Sequence, residues 1–149
     1  MTSSLVRVRS LACALTVVVG AACGSASTAS SPVLPSIGAV TNQEFELAVG
    51  QTAALGSPAV TVRFDTVTAD SRCPIDAICV WAGDAALRFT VLVGEGTPRS
   101  VELHSFTEPK LVTEGGATVE LLRVTPATDS RKAITLTDYR ARLIVRSGS

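Results

Sequence analysis

Between residues 43 and 147, apolar and polar side chains alternate with a period of two, and this alternation limits the fold more than any other feature of the chain. Phe45, Leu47 and Val49 share one face, with Glu44 and Glu46 on the other. Val60, Val62 and Phe64 alternate with Thr61, Arg63 and Asp65. Ala85, Leu87, Phe89, Val91 and Val93 form a longer run of the same kind, as do Val101 with Leu103 and Ala141 with Leu143 and Val145. Successive side chains of an extended strand point to opposite faces, so each run reads as a strand with one side on a core and one towards water. Between Thr118 and Val124 the phase slips, because Val119 and Leu121 are followed by Leu122 and Val124. A slip of one residue exchanges the two faces, which calls for a bulge or a strand buried on both sides.

Gly50-Gln51, Gly56-Ser57-Pro58, Gly94-Glu95-Gly96 and Glu114-Gly115-Gly116 punctuate these runs as turns. No stretch keeps a helical period beyond one turn. Strands at this spacing, without intervening helices, predict an all-β fold. The expected form is an antiparallel Greek-key, immunoglobulin-like β-sandwich of about six to eight strands. Aromatic residues make up only 4% of the chain, so the core must be built mainly from Val, Leu, Ile and Ala. Tyr139, just before the last run, has the placement of a tyrosine corner, whose hydroxyl bonds to an upstream backbone group. An ordinary half-buried strand tyrosine is the other reading.

The first thirty residues follow different rules. Arg7 and Arg9 precede an uncharged run, Leu11 to Ala22, that ends at Cys23. A basic start, a short apolar run and small residues before a cut are the marks of an export signal, here residues 1–22. The run falls short of the roughly 20 apolar residues that cross a bilayer. Gly20-Ala21-Ala22-Cys23 resembles a bacterial lipobox, with Gly20 where an aliphatic residue is usual. The resemblance implies that Cys23 is acylated and becomes the new N-terminus, anchoring an exported envelope lipoprotein. Ordinary cleavage nearby, leaving a soluble secreted protein, is the alternative. Residues 23–40, small, polar and Pro-rich, read as a tether, and residues 41–149 as the domain.

Charge excludes one class of partner. The chain carries 13 basic and 13 acidic side chains, and losing Arg7 and Arg9 with the leader would leave a net charge of −2. No basic footprint for nucleic acid exists in that balance. The mean hydropathy of +0.38 owes part of its height to the leader.

Of four cysteines, Cys13 lies in the leader and Cys23 at the lipobox, which leaves Cys73 and Cys79 for the mature chain. An exported pair in an oxidising compartment is expected to form a disulfide. Two thiols and the single distant His104 do not make a zinc set, and no metal or cofactor is called for.

The least generic stretch is Asp70-Ser71-Arg72-Cys73-Pro74, followed by Cys79 and by Trp81-Ala82-Gly83. It resembles a group of small exported bacterial proteins, many of them predicted lipoproteins, that share this D-S-R-C-P, C, W-A-G pattern. No activity is established for that group, so the resemblance implies architecture rather than chemistry. Two roles fit the residues themselves. In one, Asp70 and Arg72 fix the loop, Pro74 stiffens it and Trp81 packs over the disulfide. In the other, Asp70, Arg72, Pro74, Ile75, Asp76 and Trp81 form an exposed binding loop for an envelope protein, a secreted protein or a small ligand. A protease inhibitor is one version of that second role.

Catalysis has little to stand on. His104 sits on the polar face of a strand with no partner recognisable in sequence, and no G-x-S-x-G elbow is present. Asp65, Asp70, Asp76 and Asp84 are scattered, and the spacing of an EF-hand loop is missing. The expectation is a non-catalytic module.

Overall fold

The computed structural model describes residues 36–56 and 59–147. The leader, Cys23 and most of the tether lie outside the described residues.

Nine strands form two sheets among the described residues, more than the six to eight expected. In chain order they are β1 (Ser36–Ala39), β2 (Glu44–Ala48), β3 (Thr52–Gly56), β4 (Ala59–Asp70), β5 (Ala85–Val93), β6 (Arg99–His104), β7 (Leu111–Glu114), β8 (Ala117–Thr125) and β9 (Arg140–Ser147). One sheet runs β1-β3-β4-β5-β6 and the other β2-β9-β8-β7. All pairings are antiparallel except that of β1 with β3.

The fold is an all-β sandwich. Consecutive strands stay together, β3 to β6 in one sheet and β7 to β9 in the other. The ABED and CFG division of immunoglobulin domains is therefore not the order seen here. β1 falls inside the stretch read as tether, so among the described residues strand pairing is already present at Ser36, ahead of the expected start near Thr41. With four residues, the alternation of β1 is too short to mark a strand.

The core lies between the sheets and follows the sequence periodicity. Val60, Val62, Phe64, Leu87, Phe89, Val91 and Leu103 are buried from one side, and Leu47, Val119, Leu121, Ala141, Leu143 and Val145 from the other. Phe64 and Phe89 stack with ring centroids 5.1 Å apart. No polar or charged residue is buried among the described residues. The phase slip in β8 is a register shift between Leu121 and Arg123, where Leu122 turns outward.

β4 carries two further shifts against β5, between Phe64 and Thr66 and between Val67 and Ala69. Bulges raise the local twist and re-aim side chains. Beyond them β4 ends at Asp70, beside Tyr139 of the other half of the sandwich. That end also carries the loops following β4, β6 and β8.

Candidate functional site

Backbone pairing of the β4–β5 hairpin continues past the named strands. Ser71 N–H donates to the Asp84 carbonyl at 2.7 Å, and Cys73 N–H to the Ala82 carbonyl at 2.9 Å. Gly83 sits within this extension at φ +69°, and a Cβ there would lie 1.9 Å from the Ser71 carbonyl oxygen. Only glycine allows that approach. Beyond it the loop closes on itself through the expected disulfide, Cys73 to Cys79, with Cα atoms 5.9 Å apart.

The base of the loop is an ion pair with a third member. Arg72 Nε and Nη2 donate to the two Asp70 carboxylate oxygens at 2.9 and 2.6 Å, and Arg72 Nη1 donates to the Val124 carbonyl at 2.9 Å. Tyr139 completes the group, its hydroxyl donating to Asp70 Oδ2 at 2.9 Å. The tyrosine is 8% exposed and its acceptor is a side chain, not the backbone group of a tyrosine corner. Burial opposes ionisation of Asp70, but the bonds from Arg72 and Tyr139 outweigh it and hold its carboxyl below the ordinary value. Burial and the Asp70 acceptor push the Tyr139 phenol up.

A second set of bonds ties the loop to the β8–β9 connection. Ile75 N–H donates to the Thr128 carbonyl at 2.9 Å, and the Thr128 hydroxyl lies 3.1 Å from the carbonyls of Arg72 and Cys73. Asp76 accepts from Ser130 N–H at 2.9 Å and from its hydroxyl at 2.5 Å. Asp70, Arg72 and Asp76 therefore brace the loop.

Asp84 anchors the opposite flank. Its carboxylate accepts from Phe106 N–H at 2.8 Å, from the Thr107 hydroxyl at 2.9 Å and from the Ser105 hydroxyl at 3.1 Å. His104 Nδ1 lies 2.6 Å from its Oδ2. Partial burial opposes ionisation, and these bonds overcome it, holding the Asp84 carboxyl well below the usual aspartate range. His104 thus has a partner that sequence did not reveal, twenty residues away. Ser105 donates to Asp84 rather than to the imidazole, so the three side chains are not in the order of a serine–histidine–carboxylate relay. Asp70, Asp76 and Asp84 each turn to different partners. Among the described residues no group of three or more His, Cys, Asp or Glu is placed to hold a metal ion.

All this polar bracing carries an apolar tip. Ile78, Val80 and Trp81 are 105, 92 and 81% exposed, and Ile75 and Phe106 stand exposed beside them. The exposure of Trp81 speaks against the first of the two roles read from the sequence, in which it would pack over the disulfide. Instead it borders a depression of about 230 Å³ shared with Gly83, Asp84, Phe106 and Thr107. Ile75 lines one edge of a wider groove of about 700 Å³ with Pro126, Ile134 and Arg140.

Sequence reasoning picked out Ile75 and Trp81 but missed Ile78, Val80 and Phe106. A signal for two of them was present: Ile78, Val80 and Trp81 are apolar residues in a turn-rich segment that does not extend the neighbouring alternation. Phe106 is on another loop, and its approach depends on β5 pairing with β6. No protein-family model, curated protein or solved structure matches this chain.

Proposed function

We propose that this chain is an exported bacterial envelope lipoprotein, anchored through Cys23, whose β-sandwich is a non-catalytic binding module. The loop from Cys73 to Trp81 is its contact surface. The observation that carries this reading is the exposure of Ile78, Val80 and Trp81 on a loop fixed by a disulfide and by hydrogen bonds to two neighbours. Large apolar side chains cost free energy when left in water, and holding them rigidly lowers the ordering cost of a contact. The signal and lipobox patterns of residues 1–23 support the envelope placement.

Two measurements test it. Cells fed labelled palmitate should yield labelled protein, and Cys23→Ser should remove the label. A photo-crosslinking residue in place of Val80 should give adducts in intact cells that the same residue in place of Thr97, in the turn at the other end of the sandwich, does not. Equal yields from both positions would refute the contact-surface reading.

The protease-inhibitor reading draws on the same observation, since a braced convex loop suits an active-site cleft. It requires inhibition of at least one class in a panel of secreted proteases, lost on cleavage of the loop.

A further inference from the structure

We infer that the partner of the apolar tip is the surface of a lipid bilayer, an inference that rests on reading the loop as a contact surface. Three observations lead there.

The first is shape and chemistry. Ile78, Val80 and Trp81 project from a convex tip. The segment from Ala77 to Gly83 contains no charged residue. The acids at its base, Asp70, Asp76 and Asp84, are all engaged in hydrogen bonds there. Aliphatic residues beside a tryptophan, on a segment that itself carries no charge, suit the boundary between headgroups and acyl chains, where an amphipathic ring is favoured.

The second is direction. β1 is parallel to β3, which is antiparallel to β4, and β4 runs towards the tip. The chain therefore enters β1 from the end of the sandwich that carries the tip.

The third is reach. Ser36 pairs with Thr52, which pairs with Arg63, so the strand rise from Arg63 to Asp70 and the paired extension beyond put the tip about 35 Å from the level of Ser36. The chain from Cys23 to Ser36 can span at most about 45 Å. An acyl anchor on Cys23 and the apolar tip can thus meet one bilayer. With the anchor already holding the protein, insertion of the tip would set its orientation on the membrane.

Trp81 is the only tryptophan in the chain, so its emission reports directly on the tip. The probe is a vesicle of phosphatidylcholine, or one with part of that lipid replaced by phosphatidylglycerol. The protein is the chain from residue 23 carrying Cys23→Ser, which keeps every described strand without the lipid. Vesicles should shift the emission to the blue, and acyl-brominated lipid should quench it, with little dependence on salt or on phosphatidylglycerol. Ile78→Asp and Val80→Asp should each weaken binding about tenfold or more while leaving the thermal transition in place.

Unchanged emission with no co-sedimentation would overturn the inference, as would full-strength binding by both aspartate variants. Binding that needs phosphatidylglycerol and is lost in salt would overturn it too, marking adsorption by charge. Silent vesicles together with protein adducts at Val80 in cells would retain the contact surface and replace the bilayer by a protein. Silent vesicles with no adducts above the Thr97 control would remove both readings.

Discussion

The Tyr139 hydroxyl donates to Asp70 Oδ2 at 2.9 Å, joining the end of β4 in one sheet to the residue that precedes β9 in the other. Because Asp70 also takes three bonds from Arg72, one from its backbone N–H and two from its guanidinium, one carboxylate fixes both the sandwich closure and the base of the loop. Tyr139→Phe should cost about 1.5 kcal/mol, the value of one hydrogen bond to a charged acceptor. Asp70→Ala should cost about 3 kcal/mol, since it strands the half-buried guanidinium of Arg72. Chemical denaturation of both variants checks the order, and a Tyr139→Phe loss equal to that of Asp70→Ala would contradict it.

Acid should act through Asp84 and Asp70, whose carboxyls are both held below the ordinary value of 3.8 in the fold. Between the folded and unfolded values the unfolded chain binds more protons, so stability falls as pH falls. Their contribution is complete above pH 3.8 and is lost progressively as pH drops through the folded values. Asp84→Asn should cost about 2 kcal/mol at neutral pH and flatten the acid limb of the stability curve. Unfolding midpoints measured across the acid range would show whether the limb changes.

Glycine at position 83 is required for steric reasons, while at Gly94 only the backbone angle matters. Both have positive φ, but a Cβ on Gly94 meets nothing within 4 Å, whereas one on Gly83 meets the Ser71 carbonyl at 1.9 Å. Gly94→Ala should therefore cost about 1–2 kcal/mol, the left-handed penalty alone. Gly83→Ala should cost more and open the paired extension. Amide exchange at Ser71 and Cys73 would report that opening, and protected amides in Gly83→Ala would contradict it.

Reduction of the Cys73–Cys79 disulfide should destabilise the domain only modestly. The closed loop is short, so releasing it returns about 2 kcal/mol of chain entropy to the unfolded state. No residue from Cys73 to Cys79 belongs to the core, and the sandwich should stay folded with its loop loosened. Comparing thermal unfolding with and without reductant measures the difference.

How far the sequence could be read depended on how local each interaction is. Val60, Val62 and Phe64 announce an inward face because alternation is a property of neighbours, and the bulge after Leu121 announced itself as a break in that alternation. β1 stayed hidden because its alternation, Ile37 and Ala39 against Ser36 and Gly38, covers only four residues. The shifts in β4 left none either, since Thr66, Val67 and Thr68 are compatible with either face. At the site, the disulfide and the Asp70–Arg72 pair were legible because their members are close in sequence. Asp84 with His104, Asp76 with Ser130 and Tyr139 with Asp70 were not, because each is brought together only by strand pairing or sheet packing. For Trp81 the sequence left two places open, over the disulfide or on an exposed loop, because no neighbour-to-neighbour pattern distinguishes them. Trp81 stands outside, 81% exposed, on a loop held by its disulfide and by hydrogen bonds that do not involve its side chain.

That arrangement separates two properties that most loops confound. The features holding the segment in place (Gly83, the disulfide, Asp70, Arg72, Asp76, Thr128 and Asp84) are distinct from the side chains it displays. Folding places little demand on the identity of Ile78 or Val80, both almost fully exposed, so those two positions can be exchanged while the same mount is kept. What the tip touches can change by mutation without first having to solve the problem of remaining folded.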